Sequence, residues 1–460
     1  MMISALVAIV VFGVVAAVLN WLRFRFRVSG DQVLVRSGVF KREELSVEFD
    51  RIQNVSIREP FYMRPFGLAL LSIDTAGSGK KETTLSGIPK KLASDLRNKM
   101  LVDTVGEASE VAGHEQAGSG DPVLLSRTSR EIVIYGLTAN FIIWLAIAVG
   151  AFFGAFDLHE ELGTWLVGHF DPAWAEMIIR EGLGLSVFVV TVISVLLLVF
   201  VGLPLISILG ALYRHHGYQL RVKGETYRKS SGLLSRFDES LKRHKIQAMV
   251  LKQNFVAGFF KRTNMQLRVA SAGSCAGNGQ LSALSKATFQ VPVLSKSELP
   301  VFVNEFFPQC DFEKVQFTRI NRRRLGMVVL GWGVMPPLVV VTTILSLVVN
   351  GMFALMLPLV LVAAWLIVNQ VWTRIGFGVV GEYGFIRKGF FGTQTTVFPM
   401  FKVQRVDISQ TPGQRRKRLA QLSIHLASHT LTVPYVPEDD AKRFRDLTLF
   451  HMESSKVAWY

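Results

Sequence analysis

The sequence predicts an integral membrane α-helical protein in which about five apolar helices separate three copies of a small β domain, each a curved antiparallel sheet capped by a C-terminal helix. Three observations predict it. The first is a pattern met three times: Val28, Gly30-Asp31, Gly38, Arg51-Ile52-Gln53; Val222, Gly224-Glu225, Gly232, Lys245-Ile246-Gln247; and Val379, Gly381-Glu382, Gly389, Lys402-Val403-Gln404. The second Gly and the Gln stand fifteen residues apart in every copy, a constancy that chance does not produce, so the chain is an array. The second is a set of five charge-free apolar runs, residues 1–22, 132–156, 183–213, 327–350 and 352–373, each long enough to cross a hydrocarbon core of about 30 Å. The third is composition: half the residues are hydrophobic and only 19% are charged, with a mean hydropathy of +0.34, whereas soluble chains carry about 25% charge.

Taken in order, the run 1–22 reads as an anchor and not as a cleaved signal. It lacks a basic leader and a small-residue cleavage site, and Trp21 with Arg23, Arg25 and Arg27 marks an interface. Residues 23–103 form the first β domain. Gln32-Val33-Leu34-Val35-Arg36, Glu44 to Phe49 and Ile52 to Ile57 alternate apolar and polar residues as half-buried strands do. Residues 104–122, acidic and rich in Gly, Ala and Ser, read as a flexible linker. A helix pair, 132–156 and 183–213, encloses the loop 157–182, and residues 214–310 form the second β domain. The pair 327–350 and 352–373 then leads into the third, residues 374–460. The first β domain follows one helix where the others follow two, an asymmetry that a lost upstream span would explain. Each copy is expected to close with an aliphatic-Pro pair, Ile88-Pro89, Val291-Pro292 and Val433-Pro434, and then a helix, over Lys90 to Val102, Ser295 to Phe307 and Glu438 to Met452. Variable hairpin tips, such as Ser271 to Ser285, absorb the length differences between copies.

A small antiparallel sheet with one C-terminal helix is the shape of a pleckstrin-homology (PH) domain. With Gly…Ile-Gln-x-Val followed by Arg64-Pro65-Phe66-Gly67-Leu68-Ala69, the chain resembles bacterial membrane proteins of the YdbS/YdbT type over nearly its whole length. That resemblance implies bacterial PH domains set between transmembrane helices. Two copies depart from it: Lys261-Arg262-Thr263 and Arg418 stand where the first has Gly67. Phosphoinositide binding is not carried over, because the first inter-strand loop of each copy holds an acid, Asp31, Glu225 or Glu382, that would repel a phosphorylated headgroup.

Cations border the β domains, as in Arg127, Arg214, Arg322, Arg323, Arg324 and Arg374, whereas loop 157–182 holds six acids against Arg180. This predicts β domains and C-terminus in the cytoplasm of a bacterial cell, at the inner membrane. Cys275 and Cys310 are then free thiols. None of the five runs contains an ionisable residue, which disfavours coupled transport. Catalytic motifs are missing. Gly77-Ser78-Gly79-Lys80-Lys81 lacks the spacing of a phosphate loop, and His215-His216, read as strand residues facing opposite ways, have no partners at ligand spacing. No metal, cofactor or enzymatic activity is expected.

Basic clusters remain as candidates: Arg415, Arg416, Lys417 and Arg418 in copy three, Lys261 and Arg262 in copy two, and Arg64 in copy one, on a chain of net charge +16. Near an anionic leaflet each cation contributes about 1 kcal/mol within a screening length of about 8 Å. Gly38, Gln53, Gly232, Gln247, Gly389 and Gln404 are read as the structural signature of the repeat. The expected function is a non-enzymatic membrane scaffold or sensor whose PH-like domains bind anionic lipid or a protein partner in the membrane, in cell-envelope maintenance. The alternative is a pore or carrier with the PH-like domains as regulators. Nucleic acid is not expected, because the basic runs lack interleaved aromatics.

Overall fold

Alternating strands with glycine at their turns fold as six strands and a helix in every copy. The computed structural model describes residues 23–29, 32–37, 43–49, 52–75, 83–102, 122–139, 197–270, 288–320, 369–389 and 392–455, with isolated positions between them. The five expected spans, the linker, loop 157–182, the tip 271–285 and Gly77–Lys81 fall wholly or partly outside these residues. Among the described residues no helix is long and apolar enough to cross a membrane.

Copy one contains β1 (Arg25–Ser29), β2 (Gln32–Ser37), β3 (Glu43–Glu48), β4 (Ile52–Glu59), β5 (Leu68–Thr75), β6 (Thr83–Pro89) and helix α1 (Lys90–Val102). A short strand β7 (Val123–Ser126) and the antiparallel helices α2 (Ser129–Ala139) and α3 (Leu203–His215) lead into copy two. There β8 (Gln219–Lys223), β9 (Thr226–Ser231), β10 (Arg236–Lys242), β11 (Ile246–Asn254), the short helix α4 (Phe255–Phe259), β12 (Arg262–Val269), β13 (Thr288–Ser295) and α5 (Glu298–Phe306) repeat the order. After β14 (Thr318–Arg319), copy three has β15 (Gly376–Val380), β16 (Tyr383–Lys388), β17 (Gly392–Pro399), β18 (Val403–Ser409), α6 (Pro412–Arg415), β19 (Leu419–Leu426), β20 (Thr430–Pro437) and α7 (Glu438–Ser454). The repeat glycines are explained locally. Gly224 and Gly381 turn the first hairpin at φ +57°, and a Cβ on Gly232 or Gly389 would lie 1.9 Å from the carbonyl oxygen of Ser235 or Gly392.

The sheets do not stop at the copies. Each copy divides into two three-stranded halves, and the second half of one joins the first half of the next. The strand orders are β1-β2-β3, β6-β5-β4-β10-β9-β8-β7, β13-β12-β11-β17-β16-β15-β14 and β18-β19-β20, all antiparallel. Four sheets thus enclose three cores, one per copy. Alternate residues of the junction strands serve neighbouring cores: Phe385 and Val397 pack in copy two, Ile386 and Phe398 in copy three. Each fully buried side chain of this size contributes about 1.5–3 kcal/mol, so the junctions are part of the fold and not loose domain contacts.

Two expectations are corrected. The aliphatic-Pro pairs are not equivalent across copies. Leu68 pairs with Pro89, Arg262 with Ser295 and Leu419 with Pro437, so Val291-Pro292 and Val433-Pro434 each lie three residues too early. Every copy has the same bulge before its strand end, with Gly87, Val293 and Tyr435 at φ +72°, +53° and +56°, and the aliphatic-Pro pair follows that residue in copy one but precedes it in copies two and three. Nor is His215 on a strand: it is the last residue of α3, buried against the rings of Tyr135 and Tyr218. Arg127, counted among the flanking cations, is buried too, and its fork donates to both carboxylate oxygens of Glu298 at 3.1 and 2.9 Å. Burial opposes the Glu298 charge, but Arg127 and the Ser295 amide outweigh it and bring its pKa down to about 2. Cys310 is a free buried thiol whose pKa burial pushes up to about 12, which makes it inert. Cys275 lies outside the described residues.

Candidate functional site

All seven cations singled out from the sequence fall in one structural place, the turn that follows the Gln-bearing strand. In copy one this turn is Pro60 to Gly67, with a 3-10 helix over Arg64–Phe66. In copy two it is α4 and the residues to Arg262, and in copy three α6 and the residues to Arg418. Its closing hydrogen bond is the same in each: Gly67 N–H to Arg64 O, Lys261 N–H to Gly258 O, and Arg418 N–H to Arg415 O, at 3.1, 3.0 and 3.2 Å. The closing residue must be left-handed, and Gly67, Lys261 and Arg418 have φ +64°, +51° and +51°. Only the first is glycine. Copy three adds a capping box between Thr411 and Gln414, and the Arg418 carbonyl accepts from the Glu438 amide at 3.0 Å, tying the turn to α7.

A Lys or Arg in the left-handed region costs about 1–2 kcal/mol. Lys261→Gly is therefore expected to stabilise copy two by about 1 kcal/mol after glycine's larger unfolded-state entropy is deducted. Thermal melting checks this, and an unchanged or lower Tm would show that the Lys261 side chain makes a stabilising contact.

Arg64, Lys261, Arg415, Arg416, Lys417 and Arg418 are exposed, while Arg262, the first residue of β12, is half-buried. The turns lie on different sheets, so the cations form three separate patches. Sequence reasoning found the cations and missed the aromatic residues among them. Phe61, Tyr62 and Phe66 in copy one and Phe255, Phe259 and Phe260 in copy two are exposed, Phe66 by 76% and Phe259 by 82%. Apolar residues in turns, where polar ones are the rule, were the available signal. Copy three has Pro412, Gly413, Arg416 and Lys417 in their places, and its turn relies on charge alone.

The helix pair orients copy two. The Asn254 amide donates to the Thr138 carbonyl at 2.8 Å, which sets α4 beside the C-terminal end of α2. The β9–β10 turn is bound to the end of α3: Gly232 N–H donates to His216 O and Leu233 N–H to Tyr213 O, at 2.8 and 3.0 Å. Leu233 and Leu234 stand exposed there. The opposite hairpin turn, Gly224-Glu225, lies at the far end of β9. Of the signature residues, Gly232 and Gly389 close tight turns, Gln247 is 1% exposed at a junction, and Gln404 is exposed. Gly38 and the side chain of Gln53 lie outside the described residues. Among the described residues no group of three His, Cys, Asp or Glu could hold a metal ion.

Comparison with known proteins gives two findings. The bacterial PH domain family matches residues 2–103, 178–304 and 325–449. UPF0699 transmembrane protein YdbT of Bacillus subtilis (strain 168) is 22% identical over 457 residues, covering 95% of this chain and 87% of that protein.

Proposed function

The chain belongs to the bacterial PH domain family, and from that premise we propose that it is a non-enzymatic, membrane-anchored scaffold whose PH-like domains face the cytoplasm and rest on the inner leaflet through their cation-bearing turns. The observation that carries this reading is the placement of α4. Asn254, the residue before it, is hydrogen-bonded to Thr138, near the start of an expected span, with Phe255 and Phe259 exposed and Lys261 beside them. Aromatic rings flanked by cations suit the headgroup region, where a ring is half dehydrated and a cation meets lipid phosphate. The YdbT relative's designation as a transmembrane protein supports the same setting. Copies one and two anchor with rings and charge, and copy three with charge. Left-handed Lys261 and Arg418 fit this reading, because strain kept where glycine would relax it marks positions held for their side chains.

Full-length protein reconstituted in vesicles tests it, in a Cys275→Ser background that leaves buried Cys310 in place. An environment-sensitive dye on Phe259→Cys or Lys417→Cys is expected to be quenched by headgroup-depth nitroxide lipid. Quenching at 417 should rise with the anionic fraction and fall with salt. A dye on Lys223→Cys, at the opposite hairpin turn, should stay in water. Equal behaviour at all three positions would overturn the proposal.

A further inference from the structure

We propose that copies of this chain assemble head to tail by pairing β18 of one molecule with β3 of the next. Within the chain, each copy's Gln-bearing strand pairs with the third strand of the following copy, and both junctions use one register. The residue two places beyond the Gln meets the residue eight places beyond the next copy's second Gly: Val55 opposes Ser240, and Met249 opposes Val397. The first half of copy one and the second half of copy three carry the two halves of a third such junction, which are not joined to each other among the described residues. Among the described residues β3 and β18 are edge strands, each at the end of a three-stranded sheet.

Their side chains match the missing contact. At the two formed junctions Ser240 and Val397 are 2% and 0% exposed, whereas the equivalent Ser46 is exposed; Val55 and Met249 are fully buried, whereas the equivalent Val406 is half-buried. The free strands also resemble the strands of the first junction. β18 reads Val-Gln-Arg-Val-Asp-Ile against Ile-Gln-Asn-Val-Ser-Ile in β4, and β3 carries Ser46-Val47 where β10 carries Ser240-Leu241. Charged residues that would blunt an ordinary edge do not prevent pairing here. β10 carries Arg236, Asp238, Glu239 and Lys242 and still pairs on both sides. Applied once more, the register sets Val406 opposite Ser46 and Ile408 opposite Glu44, as Ile57 stands opposite Asp238. The contact joins different surfaces of two identical chains, so it generates a ring if the rotation closes and a filament if it does not. It also repeats the strand register that already joins copy one to copy two and copy two to copy three.

The test uses the full-length chain carrying two different tags, co-expressed in Cys275→Ser form, one with Ser46→Cys and the other with Val406→Cys. Residues directly opposed in an antiparallel pair have Cα atoms about 4.5–5.5 Å apart, within disulfide reach. Oxidation should join the two tags, and should do so about tenfold more than when Val406→Cys is replaced by Ser409→Cys, which the register sets three residues away. Because each chain holds one new cysteine, a product linking both tags is intermolecular. Light scattering in detergent is a second readout: the parent should exceed one chain in mass, and Ser46→Lys should leave a single chain that still melts cooperatively, since Ser46 is exposed in the isolated molecule. A monomeric parent without the mixed cross-link, or cross-links only between like-tagged chains, would overturn the proposal.

Discussion

Replacing Arg415, Arg416, Lys417 and Arg418 by Ser is expected to release the copy-three turn from an anionic surface. Four exposed cations at about 1 kcal/mol each amount to about 4 kcal/mol, which is about a thousandfold in the equilibrium between surface-bound and free turn. A dye on Ser409→Cys, an exposed position at the end of β18, reports this in reconstituted full-length protein. The parent should be quenched by headgroup nitroxide in anionic vesicles at low salt and progressively less as salt screens the cations. The quadruple variant should behave at low salt as the parent does in neutral lipid. The fold should survive, because the turn is held by backbone hydrogen bonds and the Thr411–Gln414 box, and none of these uses a substituted side chain. Quenching that persists in the variant would assign the contact to another surface.

The second large effect concerns Lys402, the cation of the third copy's triplet. Its ammonium is buried and donates to the carbonyls of His244 and, at 2.8 Å, Ile246, so it crosses from copy three to copy two. Lys402→Met keeps the stem but leaves two buried carbonyls short of a donor, at about 1–3 kcal/mol each. We expect about 3 kcal/mol of lost stability and uncoupled melting of copies two and three. The pH dependence has a definite sign. Burial, with Lys245 nearby, lowers the Lys402 pKa from 10.5 to about 8. Between these values the unfolded chain binds more protons than the folded one, so this group makes the parent more stable as pH rises from 8 toward 10.5. Below pH 8 the full cost of holding the charge is present. Lys402→Met should remove that portion of the pH profile, which melts at pH 7.5 and 9.5 would measure; an unchanged slope would assign the titration elsewhere.

Much of this protein is legible without coordinates. The fifteen-residue interval between the second Gly and the Gln is kept because a tight turn at Gly232 or Gly389 and a strand of set length must both fit within it. Period-two alternation locates the strands, and the C-terminal helices lie where the segments after the strand ends place them, as α1 at Lys90–Val102 and α7 at Glu438–Ser454 do. The cations of Arg64, Lys261 and Arg415 to Arg418 are visible because a turn rich in charge needs no tertiary contact to be noticed.

Other features depend on neighbours that the local sequence does not specify. The aliphatic-Pro pairs do not mark one strand position, because the pair follows the left-handed residue at Gly87 but precedes it at Val293 and Tyr435, and only the strand pairing fixes which residues are equivalent. Lys261 and Arg418 look like departures from a Gly motif, and only their φ values show that they hold the same conformation at an energetic cost. By itself the sequence determined the array, its strands and its turns, since these follow from periodicity and backbone sterics within a few residues. Only the tertiary structure decided that β4 joins β10, that β11 joins β17, and that β3 and β18 are left at the ends. Strand pairing across more than a hundred residues is set by edge hydrogen bonds and by burial on two faces at once, and neither has a local signature.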